Sequence, residues 1–142
     1  MKGLTAKQSI ELNASPSEVW NALTNPEEIK KYFFGTNAIS DWKVGSPIVF
    51  KGEWEGKPYE DKGTIEELIP GEKLIYTYWS SFSGTEDIPE NYAHVGYFLT
   101  PRGKGTLLEI TQDSIDTEEK KNHSESNWKA VLEKLKELLS IN

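Results

Sequence analysis

The chain has 142 residues, no cysteine, two histidines and a net charge of −7 at pH 7. That length suits one domain spanning 1–142. The missing cysteines exclude disulfides, thiolate metal sites and a cysteine nucleophile, and the acidic balance argues against a nucleic-acid partner. Sixteen residues are aromatic, five of them Trp, although only 36% of the chain is hydrophobic. Apolar volume is therefore carried by a few large rings.

Residues 4–13 read as a first strand, with Ile10 and Leu12 on one face. Ser15-Pro16-Ser17-Glu18 is a helix start: Ser15 can cap the first amides, Pro16 suits the first helical position, and Glu18 completes a capping box. Val19, Trp20 and Leu23 form the buried face. Asn25-Pro26-Glu27-Glu28 repeats the signal at once, so two short helices follow each other, ending near Tyr32-Phe33-Phe34-Gly35.

Strands follow at 48–54, 59–68 and 72–79, with turns at Gly56-Lys57 and Pro70-Gly71. In the third, Leu74, Tyr76 and Tyr78 share one face, while Ile75, Thr77 and Trp79 share the other. Residues 80–90 are polar and read as a loop, a candidate lid. Strands at 93–100 and 106–112 make a hairpin through residues 101–105. Pairing Phe98 with Leu107 would set Tyr97 against Leu108 and Val95 against Ile110 on the buried face, and His94 against Thr111 outside. Asp116 or Thr117 then caps a long helix, in which Trp128, Val131, Leu132, Leu135, Leu138 and Leu139 form one apolar stripe. A sheet face is the surface available to cover that stripe.

Charge is concentrated in the middle of the chain. Residues 53–90 hold ten acids against three lysines, which reads either as a solvated hairpin face or as an acidic docking surface. No run of about 18 apolar residues is present, so no membrane span is expected. Met1-Lys2-Gly3-Leu4 lacks the apolar stretch of a signal peptide, and the expected compartment is cytoplasmic.

Strand, two short helices, about five strands and a long final helix is an order that resembles the helix-grip, or Bet v 1-like, fold of the START-like (SRPBCC) superfamily. The closer resemblance is to the family named for the activator of heat-shock protein 90 ATPase. Ala14-Ser15-Pro16-Ser17-Glu18-Val19-Trp20-Asn21-Ala22-Leu23-Thr24-Asn25-Pro26-Glu27 is similar to its a-P-x-x-V-W-x-A-L-T-x-P-E opening. Asp41-Trp42-Lys43-Val44-Gly45-Ser46 is similar to D-x-R-V-G-G, with Lys43 and Ser46 departing from it. Gly63-Thr64-Ile65, Pro70 and Leu74-Ile75-Tyr76-Thr77-Tyr78 form a third match. Gly105-Thr106-Leu107-Leu108-Glu109-Ile110-Thr111-Gln112 forms a fourth. Tyr32 and Tyr78 stand where the family often has Trp.

The resemblance implies an α+β fold, a curved antiparallel sheet wrapped around the C-terminal helix, with a cavity between them. Trp20, Phe33, Phe34, Phe50, Tyr76, Tyr78, Tyr97 and Trp128 are then expected to point into that space, where they either fill the core or line a pocket for a small apolar or lipid-like ligand. Trp42, Trp79 and Phe98 are expected outside that group. A heat-shock protein 90 partner and a polyketide cyclase or aromatase activity are the alternatives the resemblance carries. The family's two-domain co-chaperone has an additional N-terminal domain, for which this length leaves no room.

No catalytic motif, metal site or cofactor site is found in the sequence. His94 and His123 read as surface residues, His94 without an evident partner. Asp61, Glu66 and Glu67 are the acids expected nearest the cavity mouth. The expected assembly is a monomer or weak homodimer, with Phe98 and Leu107 as a possible outer-face contact.

Overall fold

The computed structural model describes residues 3–33, 35–80 and 84–139, apart from the side chain of Trp54. Strand β1 (Leu4–Leu12) leads into helices α1 (Pro16–Thr24) and α2 (Pro26–Tyr32). Strands β2 (Asn37–Ser40), β3 (Pro47–Trp54), β4 (Lys57–Ile69), β5 (Lys73–Ser80), β6 (Ala93–Arg102) and β7 (Gly105–Ile115) follow, then helix α3 (Glu118–Leu139). The strands form one antiparallel sheet in the order β1-β7-β6-β5-β4-β3-β2. The sheet curves around α3, and the architecture is the expected helix-grip fold. No helix among the described residues is long and apolar enough to cross a membrane.

Both short helices start as their sequences dictate. The Glu18 amide donates to Ser15 Oγ and the Ser15 amide to Glu18 Oε1, a complete capping box. The Glu27 amide donates to Asn25 Oδ1. Thr117 Oγ1 accepts from the Lys120 amide at the start of α3. That helix buries Trp128, Val131, Leu132 and Leu135. It is tied to the edge strand β1 by polar groups as well: the Lys7 amide donates to Glu125 Oε2 at 2.9 Å, and Gln8 Nε2 donates to the Glu125 carbonyl at 3.0 Å. Glu125 thereby occupies an amide that an edge strand would otherwise offer to a neighbour.

Two glycines explain motif positions. A Cβ on Gly63 would lie 1.6 Å from the Thr77 carbonyl oxygen, so only glycine lets β4 approach β5 there. Gly45 takes a φ of +89° while its amide donates to the Ile65 carbonyl, fastening the loop before β3 to β4.

Two sequence expectations need correction. The edge strand β2 was not expected; with four residues and only Ala38 buried, it shows no alternation to read. The β6–β7 hairpin pairs Phe98 with Glu109, Tyr97 with Ile110 and Val95 with Gln112, two residues away from the expected register. The turn is tight: Pro101 pairs with Thr106 and Arg102 with Gly105. The Leu99 amide points toward the β5 side, to the Glu72 carbonyl, so the Pro101 nitrogen points the same way, past the end of β5. Proline therefore removes no ladder bond, and the strand continues through it. A two-residue slip preserves faces. Val95, Tyr97, Leu108 and Ile110 are buried as expected, but Phe98 and Leu107 are not a pair.

Candidate functional site

Five of the expected rings close a circuit between sheet and helix. Phe33 stacks on Phe50 with centroids 6.1 Å apart, and Phe50 meets Tyr76 at 5.7 Å. Tyr76 meets Tyr97 edge-on at 5.7 Å, Tyr97 meets Trp128 at 6.1 Å, and Trp128 returns to Phe33 at 5.9 Å. These are favourable tilted, offset and edge geometries. Alternation along β3, β5 and β6 supplies Phe50, Tyr76 and Tyr97. The α3 stripe supplies Trp128, and the end of α2 supplies Phe33.

Beside the circuit is a cavity of about 10 Å³, walled by Tyr32, Phe33, Trp42, Phe50, Tyr76 and Tyr97 with aliphatic neighbours. It has room for about one water molecule. In this conformation the rings fill the space rather than enclose a ligand-sized void. Trp20 and Tyr78 are half-buried against the core and outside the cavity wall; Trp128 is buried but also outside that wall, despite its place in the circuit. Phe34 lies outside the described residues.

Trp42 corrects the expectation that it stands apart. It packs against the core and forms part of the cavity wall. A left-handed backbone with φ of 56°, uncommon for a bulky residue, turns its ring inward from the loop. Tyr32 was likewise not assigned to the wall; it is buried, and its hydroxyl donates to the Ala22 carbonyl at 2.9 Å.

The polar atoms among the rings are mostly hydroxyls. Tyr76 and Tyr97 share one hydrogen bond of 2.9 Å. Two hydroxyls carry two protons and their mutual bond uses one, so one O–H is left without an acceptor among the described residues. Trp128 Nε1 and Ser124 Oγ both donate to Gln112 Oε1, at 3.0 and 3.1 Å. Burial pushes the Tyr97 hydroxyl up to about 12, against the opposing effect of the Tyr76 hydrogen bond. Burial raises Tyr32 and Tyr76 well above the usual tyrosine value, with Tyr97 adding to both. Tyr78 is raised by burial first and by the Asp61 carboxylate second. All four are neutral hydrogen-bonding groups at neutral pH.

Of the three acids expected near the cavity mouth, only Asp61 is on the concave side. Tyr78 Oη donates to Asp61 Oδ2 at 2.6 Å. A register shift between Ile65 and Glu67 turns both Glu66 and Glu67 outward while Ile65 and Leu68 remain inward. Glu67 pairs with Lys73 at 2.9 Å and Glu66 with His94 at 3.3 Å. His94 is exposed as expected, but it has partners. The corrected register sets it beside Asp113, whose Oδ1 accepts the His94 amide at 2.6 Å and whose Oδ2 lies 3.2 Å from Nδ1. His123 is exposed on α3.

The described part of the candidate lid lies against the convex side. Trp79 Nε1 donates to Thr85 Oγ1 at 3.1 Å, and Lys62 pairs with Asp87 at 2.5 Å. Residues 81–83 of that loop lie outside the described residues. No group of three metal-ligating side chains occurs among the described residues.

The family model described as Activator of Hsp90 ATPase homolog 1-like protein matches residues 13–140, and the chain belongs to that family. No functionally curated protein matches the sequence. A solution structure from Cytophaga hutchinsonii is 48% identical, with 99% of this chain and 96% of that one covered and a TM-score of 0.85. The Aha1 dimer from Colwellia psychrerythraea is 21% identical, covers 96% of each chain and has a TM-score of 0.76. CalU16 from Micromonospora echinospora is 20% identical, with 98% and 85% covered and a TM-score of 0.73. The last two are likenesses of fold.

Proposed function

We propose that this chain, as a member of the family of Activator of Hsp90 ATPase homolog 1-like proteins, binds a small apolar or lipid-like molecule between its sheet and α3, and that its activity is sequestration rather than turnover. The carrying observation is the Tyr76–Tyr97 hydroxyl pair, which leaves one donor unused inside a circuit of rings. An unpaired buried donor costs about 1–3 kcal/mol, and a ligand oxygen placed there would relieve that cost. The concave tyrosines are held neutral by burial, which suits orienting a ligand more than taking a proton from it.

Access requires movement, since the cavity has room for about one water. Phe33 and Trp42 are the movable wall: both are half-buried, and neither belongs to a strand. Swinging the Phe33 ring outward would open the circuit between Phe50 and Trp128. Each ligand ring then buried would contribute on the order of 2–3 kcal/mol. We place this activity in the cytoplasm, in a monomer or weak homodimer with no cofactor. Native mass spectrometry of the protein purified from its own host is expected to show a small-molecule adduct. Phe33→Ala is expected to raise its occupancy by about tenfold at limiting ligand, 1.4 kcal/mol in binding. No adduct on either protein would overturn the reading.

A second reading is an interaction module for a heat-shock protein 90 chaperone. The family's name supports it, as do the acids of the 53–90 segment, which are exposed apart from Asp61. Pull-down with the host's own chaperone tests it. Absence of both salt-sensitive binding and ATPase stimulation would end it.

A further inference from the structure

We infer that the molecule bound on the concave face carries a cationic nitrogen, a protonated amine on an apolar or aromatic body, and that Asp61 receives it. This rests on the binding reading above and adds the chemical class of the ligand.

Asp61 faces Phe50 across the β3–β4 pairing and Ser80 across the β4–β5 pairing, and directly opposed residues share a face of the sheet. Phe50 is both a member of the ring circuit and a wall of the cavity, so the carboxylate stands at the rim of that space. Its two oxygens differ. Oδ2 accepts from Tyr78 Oη at 2.6 Å. Oδ1 is closed off from solvent and has no hydrogen-bond partner among the described residues. A buried carboxylate oxygen without a donor calls for a donor.

The chain's own nearby cations are committed elsewhere. Lys62, next to Asp61 on β4, projects to the opposite face and pairs with Asp87. Lys51 pairs with Glu60 at 3.5 Å and Lys73 with Glu67 at 2.9 Å. Among the described residues, no ammonium group pairs with the Asp61 carboxylate beside those ring faces.

The molecule also contains the completed form of the same unit. On the convex face Tyr92 Oη donates to Asp87 at 2.5 Å, as Tyr78 does to Asp61. There the other carboxylate oxygen takes the Lys62 ammonium at 2.5 Å, and that ammonium lies 5.9 Å from the centre of the Trp79 ring. Tyrosine, carboxylate, ammonium and aromatic face are all present. At Asp61 the tyrosine, the carboxylate and the rings are present, and no ammonium group of the described residues pairs with it. Carboxylate and ring faces together are the chemistry that selects an organic cation.

Two probes of equal shape test this: 2-phenylethylammonium and 2-phenylethanol, titrated near pH 7 into the whole protein, with the ring-circuit resonances followed by NMR. The ammonium probe is expected to bind the wild type at least about tenfold more tightly. Asp61→Asn is expected to bring the ratio to about one, chiefly by weakening the ammonium probe. Should Asp61→Asn fail to fold, Asp61→Ser is the second arm, and the preference must fall there in the same way. If both probes bind wild type equally, the apolar site stands and Asp61 is merely hydrated, which overturns this inference alone. A preference that survives removal of the carboxylate also overturns it. If neither probe moves the ring-circuit resonances, the binding reading fails and this inference fails with it.

Discussion

The two Tyr–Asp units on opposite faces of one sheet are built alike and behave differently. Tyr78–Asp61 and Tyr92–Asp87 have nearly equal hydrogen bonds, 2.6 and 2.5 Å. Asp87 lies in solvent, and its carboxyl is held below the usual carboxylate range first by Lys62 and then by Tyr92. Tyr78 is half-buried with its hydroxyl turned inward, and loss of water is the largest cause of its raised value. Aromatic rings divide the same way: Trp79 stacks on Tyr92 at 6.5 Å outside, while Trp128 meets two rings of the circuit inside. Residue type is shared between the faces, so the work each group can do is decided by which face alternation assigns it.

The widest separation should appear on truncating the two tryptophans. Trp128 is buried, so Trp128→Ala should cost about 3–5 kcal/mol, because the circuit loses a ring it cannot refill. Trp79→Ala should cost about 0.5–1.5 kcal/mol, the order of an aromatic pair, since solvent can take its place. Urea unfolding followed by circular dichroism measures both. Equal losses would erase the distinction between the faces.

Alkali should act on the inner face next. Tyr97 ionises near its ordinary value of 10.0 when unfolded and at about 12 when folded. The unfolded state therefore gains between those values. The stabilisation is complete below pH 10, is lost progressively as pH rises, and is gone once pH passes about 12. Each buried tyrosine should contribute a slope of about 1.4 kcal/mol per pH unit within that window. Tyr32, Tyr76 and Tyr78 are raised in the same direction and should steepen it. Tyr97→Phe should flatten the slope by about one proton, read from unfolding curves between pH 9.5 and 11.5.

What the sequence disclosed follows the range of the forces involved. The capping box at Ser15 and Glu18 is closed within four residues, and the α3 stripe within single turns, so both were legible. Faces were legible too: period-two alternation put Tyr76 and Tyr78 on one side of β5 and Trp79 on the other. Register was not, because pairing depends on whether the chain turns at Gly103-Lys104 or over a longer loop, and both preserve alternation. The partners of His94 were lost with it. Trp42 reaches the cavity wall through one left-handed residue in a loop, which no periodicity reports. The orphaned oxygen of Asp61 was out of reach for the same reason. Its surroundings come from β3 and β5, and only the assembled sheet shows that a tyrosine satisfies one oxygen while the other has no partner among the described residues.

The smallest effect belongs to the outer unit, and it sharpens the comparison by being small. Lys62→Met removes the ammonium from Asp87 and from the Trp79 ring. Both charged groups are well hydrated, so water replaces most of what the pair supplied. The loss of stability should be less than that of Trp79→Ala and should shrink further in about 1 M salt, where the screening length is near 3 Å. Its pH dependence has the opposite sense to that of the tyrosines. Asp87 is depressed in the folded state, so its contribution is present above the unfolded carboxylate value and fades as pH falls through the folded one. Lys62→Met should flatten the acid limb of the stability curve, while Tyr97→Phe should leave that limb unchanged and flatten the alkaline one. If Tyr97→Phe moves the acid limb as well, the two faces are energetically coupled through the sheet, and the assignment of separate roles to Asp61 and Asp87 falls with their independence.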